Sequence, residues 1–244
     1  MRTFAIGDIH GGLKALIQLL NELKLTKDDE LIFLGDYVDG WSESAQVIQF
    51  LIELSKTNNC IFIKGNHDLW CEQWLRTGDA NPVWLAHGGK EAVESYQTFS
   101  KEDKKQHLYF FDNMQLFHID AKNRLFIHAG FTSMHGVEKE ILKENFYFDR
   151  TLWEMALTMD RRIEKQSELY PNRLKHYSEI YIGHTPTTNY RILQPMNAVN
   201  VWNVDTGAAF TGPLSAIDLE TKEIFQTDRV MDLYPNEMGR NKKH

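Results

Sequence analysis

Cysteine is scarce in this sequence: 244 residues contain two, Cys60 and Cys71. Cys60 lies in an apolar run and Cys71 in a helix-forming stretch, so they read as two reduced thiols, and a disulfide-stapled secreted scaffold is excluded. No apolar stretch approaches the roughly 18 residues that a membrane span needs. The opening "MRTFAIGD" enters a short apolar run followed by acids, which does not fit a signal peptide. Basic residues are in deficit, 27 Lys and Arg against 34 Asp and Glu, for a net charge of −7. That argues against nucleic acid or an anionic membrane as the main partner, though a local basic site stays open. Neither an internal repeat nor a linker rich in Pro, Gly or Ser interrupts the chain. With 42% hydrophobic and 25% charged residues, the expectation is an ordinary globular protein in the cytoplasm. Residues 1–235 are expected to form a single domain, and the polar tail 236–244 is expected to fray.

What is present is a repeated local form. "RTFAIGD", "ELIFLGD" and "CIFIKGNHD" each read as a buried strand ending in polar residues. Between the first two, Leu13, Leu16, Ile17, Leu20 and Leu23 follow helical spacing. Residues 43–54 repeat the pattern with Val47, Ile48, Leu51 and Leu54. The order β-α-β-α-β implies a parallel sheet with right-handed crossovers. Asp8, Asp36 and Asn66 lie 28 and 30 residues apart, about the length of a βαβ unit. Each therefore falls at the carboxyl end of a successive strand, on the edge where open α/β sheets bind ligands. Further on, "QLFHID" and "RLFIHAG" read as a hairpin and "EIYIGHT" as another strand. "VNVWNVDTG", "LSAIDL" and "EIFQTD" read as closely spaced antiparallel strands.

Five of these ends carry chemistry: "GDIHGG", "GDYVDG", "GNHD", "HAG" and "GHT". They supply Asp8, His10, Asp36, Asp39, Asn66, His67, His128 and His184. The acids of "GDYVDGWSES" have no basic neighbour in sequence, so a cation must come from elsewhere or the acids form a solvated Asx-turn. A mixed set of carboxylate, amide and imidazole donors suits Mn²⁺, Fe²⁺ or Zn²⁺. Eight groups exceed the needs of a single metal, and two ions sharing a carboxylate would use them. The remaining histidines, His87, His107, His118, His135, His176 and His244, are read as surface, cap or core residues, with His87, in "WLAHGGKEAVESY", the one that comes closest to a site reading.

In this order, the five segments resemble the signature of the calcineurin-like metallophosphoesterases. The nearest branch holds the PPP-type serine/threonine protein phosphatases and the symmetrical diadenosine tetraphosphate hydrolases. The resemblance covers residues 7–185, and "VDTGAAFTGPLSAIDL" is similar to the family's closing strands. It implies an α/β fold of four layers, two mixed β-sheets face to face flanked by helices. It also implies that Asp8, His10 and Asp36 hold one metal and that Asp36 with Asn66, His128 and His184 holds a second. His67 would be the general acid and Asp39 its orienting partner. The implied reaction is hydrolysis of phosphomonoesters by a metal-bridging hydroxide, with two divalent ions, first of all Mn²⁺, outweighing the buried carboxylates.

The chain departs from that pattern at one place. PPP-type phosphatases read "GDxVDRG", whose Arg binds the substrate phosphate; here Gly40 and Trp41 follow Asp39. Lys or Gly does not reproduce a bidentate clamp. Arg150, in "FDRTLWEM", is the candidate replacement, with Arg161 and Arg162 following. The alternative is a substrate held by its organic part through stacking on Trp41. The first expectation is thus a phosphatase resembling those acting on phosphoserine and phosphothreonine, its partner a phosphoprotein or small phosphoester. A dinucleoside polyphosphate or other nucleotide hydrolase is the alternative. A non-catalytic scaffold is the third reading, and the intact set of donors argues against it.

Overall fold

The short apolar runs become strands because their side chains alternate between two hydrophobic environments. In a computed structural model, which describes residues 1–241, Phe4, Ile6, Leu31 and Phe33 face helices while Ala5, Ile32 and Leu34 face a second sheet. The expectations for His244 and for the last three tail residues lie outside the described residues. β1 (Thr3–Ile6), β2 (Glu30–Phe33) and β3 (Asn59–Phe62) pair in parallel. α1 (Leu13–Leu23) and α2 (Ser44–Leu54) make the crossovers, and α3 (Asn66–Thr77) follows β3. α1 buries Leu16, Leu19 and Leu23, while Ile17 is 40% exposed. Leu16 and Ile17 point about 100° apart around a helix, so only one can sit at the centre of the buried stripe.

The second half adds β4 (Phe117–Ile119), β5 (Arg124–Ile127), β6 (Glu179–Ile182), β7 (Met196–Ala198), β8 (Val201–Asn203), β9 (Pro213–Asp218) and β10 (Ile224–Arg229). One sheet has the order β10-β9-β1-β2-β3 and the other β4-β5-β6-β8-β7. β4 and β5 form the expected hairpin. The three closing runs are not all antiparallel neighbours. β9 and β10 are, but β8 runs parallel to β6 and pairs antiparallel with β7. The loop 205–212 carries the chain from one sheet to the other, so closeness in sequence does not become pairing.

Phe126 and Tyr181 stack at 5.1 Å and join Ala5, Ile32, Val204 and Ile217 in the layer between the sheets. Leu125, Ile127, Ile180 and Ile182 point the other way, onto Leu152, Trp153 and Leu174. Helices therefore cover the outer faces, giving the expected four layers. Burial of each large apolar side chain contributes about 1.5–3 kcal/mol, which suffices to fix register, since a slip by one residue would turn every side chain to the wrong face. The carboxyl ends of β1, β2 and β3 in one sheet and β5, β6 and β8 in the other then meet at one edge. No described helix is long and apolar enough to cross a membrane.

Candidate metal centre

Each candidate side chain stands just past a strand end, where the backbone leaves the ladder abruptly. His10, Asp36, Asp39 and His184 all have positive φ, between 52° and 76°. Such geometry costs on the order of 1 kcal/mol or more per residue and persists only where the surroundings enforce it. Part of the enforcement comes from Asp68, fully buried, whose carboxylate accepts the N–H groups of Gly65, Asp36 and Tyr37 at 2.8–2.9 Å. Asp68 thereby ties the start of α3 to the loop after β2.

Asp36 is the centre. Its Oδ2 lies 3.7 Å from His10 Nε2 and 3.4 Å from His128 Nε2, while its Oδ1 accepts the His67 N–H at 2.9 Å. Two groups of donors share it: His10, Asp36 and His67 on one side, and Asp36, His128 and His184 on the other. Asp8 Oδ2 lies 3.9 Å from His10 Nε2. Asn66 Oδ1 lies 3.2 Å from His128 Nε2 and 2.9 Å from His184 Nδ1.

Tautomer logic tests whether a cation fits. His128 Nδ1 meets the Leu34 carbonyl at 2.8 Å and His10 Nδ1 meets the Val38 carbonyl at 3.2 Å. A carbonyl only accepts, so the ring proton sits on Nδ1 and Nε2 carries a lone pair. His128 Nε2, Asn66 Oδ1 and Asp36 Oδ2 are then three acceptors converging with no hydrogen between them. An added proton, a turned Asn66 amide or a cation reconciles them. His184 Nε2 is also buried without a partner. Among the described residues no Lys or Arg pairs with Asp8, Asp36, Asp39 or Asp205. The donor set therefore fits divalent metal, with His10 and His128 each held by a backbone carbonyl behind the ring.

The electrostatics describe the same need. Burial, then Asp205 and Asp36, push Asp8 well above the usual carboxylate range. Burial raises Asp205 to about 6, and burial with the Asp36 charge raises Asp68 to about 7. Burial also works against the Asp36 charge, but His128, His67 and His10 outweigh it and hold that carboxyl well below its ordinary value. Burial drives His10 down to about 3, with Arg240 helping against the pull of Asp36. Burial lowers His184 as well, followed by the charges of His128 and Arg150.

His67 Nδ1 meets Asp39 Oδ2 at 2.5 Å, and the Trp84 indole donates to the same oxygen at 2.5 Å. Burial pushes Asp39 up and His67 down, so the pair avoids full charge separation. This fixes the ring and leaves Nε2 for a reactant. The cavity over the cluster, of about 370 Å³, is lined by Trp70, Phe148, Phe210, Arg150, Arg240 and His87 among others. Arg150 lines this cavity, and its Nη1 donates to Thr185 Oγ1 at 3.0 Å. Arg162 instead pairs with the exposed Asp160.

Trp41 is a correction. It is fully buried, donates from Nε1 to the Ala208 carbonyl at 2.8 Å and stacks on Tyr234 at 5.3 Å. No ring face is left for a substrate. The tail is a second correction: Glu237 accepts from Ser42 N and Oγ at 3.0 and 2.7 Å, and Arg240 N donates to the Ala209 carbonyl at 2.8 Å. Trp70, Phe148 and Phe210 in the cavity lining were missed, and with them Asp205 and Arg240. Asp205, in "VNVWNVDTG", has the form of the other motifs, an acid after an apolar strand. Arg240 carries no sequence signal at all.

The chain belongs to the calcineurin-like phosphoesterases, whose family model matches residues 1–210. It is a phosphoester hydrolase of that family. It is similar to the asymmetrical bis(5'-nucleosyl)-tetraphosphatase PrpE of Oceanobacillus iheyensis, 28% identical over 91% of this chain and 90% of that protein. The corresponding protein of Anoxybacillus flavithermus is 29% identical over 91% and 93%. Among solved structures, a serine/threonine protein phosphatase from Saccharomyces cerevisiae matches with TM-score 0.62 and 13% identity, over 93% of this chain and 79% of that one. A metallophosphoesterase from Sphaerobacter thermophilus matches with TM-score 0.57 and 15% identity, over 96% and 95%.

Proposed function

We propose that the chain hydrolyses dinucleoside polyphosphates, the second of the two substrate classes that its sequence suggests. The observation that carries this is the composition of the cavity beside the metal donors. Trp70, Phe148 and Phe210 are ring systems against which a base can stack, and Arg150 and Arg240 are cations for a polyphosphate. The named activity of the similar PrpE proteins supports the same reading over a phosphoprotein substrate.

Asp8, His10 and Asp36 would hold one divalent ion, and Asp36, Asn66, His128 and His184 the other, Mn²⁺ fitting the mixed donors with Fe or Zn as alternatives. When bound, the ions supply Lewis acidity that activates water at neutral pH and neutralises phosphoryl oxygens. Asp36 keeps the two groups of donors at fixed separation. His67, oriented by Asp39, gives a proton to the departing oxygen from Nε2, a step typically worth about 10²–10⁴-fold. Arg150, anchored on Thr185, faces the phosphate chain. On this reading residues 1–235 form one catalytic unit, acting in the cytoplasm where its two thiols stay reduced.

The test is a substrate panel on Mn²⁺-loaded protein: diadenosine tetraphosphate, a phosphoserine peptide, an aryl phosphate and a cyclic nucleotide, with products separated by chromatography. The dinucleotide is expected to lead in kcat/KM by about tenfold or more. A phosphopeptide leading by the same margin would overturn the proposal in favour of a protein phosphatase.

A further inference from the structure

Gly40 stands where the family pattern has its phosphate-binding arginine, and the structure fills that space from the far end of the chain. Gly40 has φ +98°, and a Cβ built on it would lie 3.1 Å from Arg240 Cγ and 3.5 Å from Cδ. Gly88, φ +106°, faces the same stem: a Cβ there would meet Arg240 Cγ at 3.2 Å. The two glycines are joined, Gly40 N donating to the Gly88 carbonyl at 3.2 Å. A Cβ at Gly40 would press on the arginine stem, and one at Gly88 would meet both that stem and, at 2.7 Å, the Gly40 backbone nitrogen. The Arg240 guanidinium lies over the Phe210 ring at 5.2 Å and lines the cavity that holds Asp36, Asn66, His67 and His184. Among the described residues it makes no ion pair and no side-chain hydrogen bond, so its donors are available.

The segment that carries it is anchored on both sides. Tyr234 stacks on Trp41, Ser42 donates twice to Glu237, and Asn241 Nδ2 donates to the Phe210 carbonyl at 3.2 Å. Gly239 lies so near Trp41 that a Cβ would come within 2.7 Å of its Cζ2. Trp41 and Ser42, directly after Gly40, are thus the dock for the tail. A solvated surface arginine needs neither two glycines beneath its stem nor a built dock.

We propose that Arg240 is the substrate-phosphate clamp of this enzyme, delivered by the docked tail in place of an arginine at position 40. The second cavity, about 360 Å³, shares His87, Phe210 and Arg240 with the first. Arg240 therefore stands at their junction, at the mouth of the metal centre. The proposal rests on phosphoester hydrolysis at this site, not on the dinucleotide as substrate.

The experiment compares wild type, Arg240→Ala and Arg240→Lys as Mn²⁺-loaded proteins. Inorganic phosphate binding is read by calorimetry, bound metal by elemental analysis, folding by thermal unfolding, and aryl phosphate turnover by KM and kcat. Arg240→Ala is expected to bind phosphate about 10- to 100-fold more weakly, the loss of a charged bidentate contact. Metal content and unfolding temperature should not change. Arg240→Lys should recover only part of the affinity, and guanidinium ion added to the Ala variant should restore turnover. Unchanged phosphate affinity in the Ala variant would overturn the proposal, and so would a fall in metal content that accounts for the whole loss. If the dinucleotide is not hydrolysed but Arg240→Ala still weakens phosphate, the substrate assignment fails and the clamp stands.

Discussion

The two walls of the site are built differently. The metal wall consists of strand ends: Asp8, His10, Asp36, Asn66, His128 and His184 each follow an apolar run by a few residues. The opposite wall is assembled from α3, loops and the tail: Trp70 stands one turn past His67 on α3, while Arg150, Phe210 and Arg240 come from parts of the chain that share no pattern. The first wall is fixed by the sheets, whose register cannot shift without exposing the core. The second depends on individual docking contacts. On the proposed function, chemistry would sit on the rigid side and selection of the substrate on the adaptable one.

The strongest challenge to the metal wall is Asp36→Asn, because Asp36 belongs to both donor groups. Turnover is expected to fall by on the order of 10³-fold or more, and elemental analysis should show loss of both ions. If one ion per chain survived with useful activity, the shared position of Asp36 would be refuted. His67→Asn should come next, with metal content intact. On an alkyl phosphate, the loss is expected within the roughly 10²–10⁴-fold range of general acid catalysis. A phosphoanhydride expels a far less basic oxygen, so the loss on diadenosine tetraphosphate should be clearly smaller. Equal losses on both substrates would remove His67 from the protonation step.

The metal wall was legible in the sequence and most of the substrate wall was not, for physical reasons. A parallel strand of given length must be followed by a crossover of given length, so Asp8, Asp36 and Asn66 announce themselves by spacing. Short continuous apolar runs likewise announce the strands, although they cannot tell that β8 stays in one sheet while β9 and β10 join the other. Arg240 sits in "NEMGRNKKH", which has no periodicity and reads as a solvated end. Its place depends on what is absent at Gly40 and Gly88, and an absence has meaning only once the cavity is known. Trp41 misled for the same reason: an aromatic two residues after Asp39 looks like a substrate platform until Tyr234 and Ala208 are found on its faces and edge. Asp205 was readable, since "NVDTG" repeats the form of the other motifs.

Trp41 offers a milder test of the substrate wall. Trp41→Ala should destabilise the fold by about 3–5 kcal/mol, as large-to-small changes at buried aromatics do. Trp41→Phe keeps much of the packing but loses the bond to the Ala208 carbonyl and the outer ring against Gly239. It is expected to cost about 1–2 kcal/mol, which at roughly 2–4 °C per kcal/mol for a chain of this size is readable by thermal unfolding. KM should rise while metal content stays the same, because only the tail is loosened. A drop in bound metal would instead tie Trp41 to the opposite wall.

The smallest expected effect concerns the loop after β5, which leads from His128 towards Arg150. Glu140 accepts the N–H groups of Thr132, Ser133 and Leu142 at 2.5–3.1 Å. Burial alone would raise its pKa, but these backbone donors outweigh it and hold the carboxyl down at about 2 against an ordinary 4.5. A folded value below the unfolded one means that the charged form is stabilised by folding. The contribution is therefore complete above pH 4.5 and is lost as the pH falls from there towards about 2. Glu140→Gln removes the charge at every pH, so it should lower stability by about 1 kcal/mol near neutrality, modest because the group is partly exposed. The difference between variant and wild type should shrink across that acid window in pH-dependent unfolding curves. A difference that stayed constant down to the acid limit would assign the stabilisation to shape and not to charge.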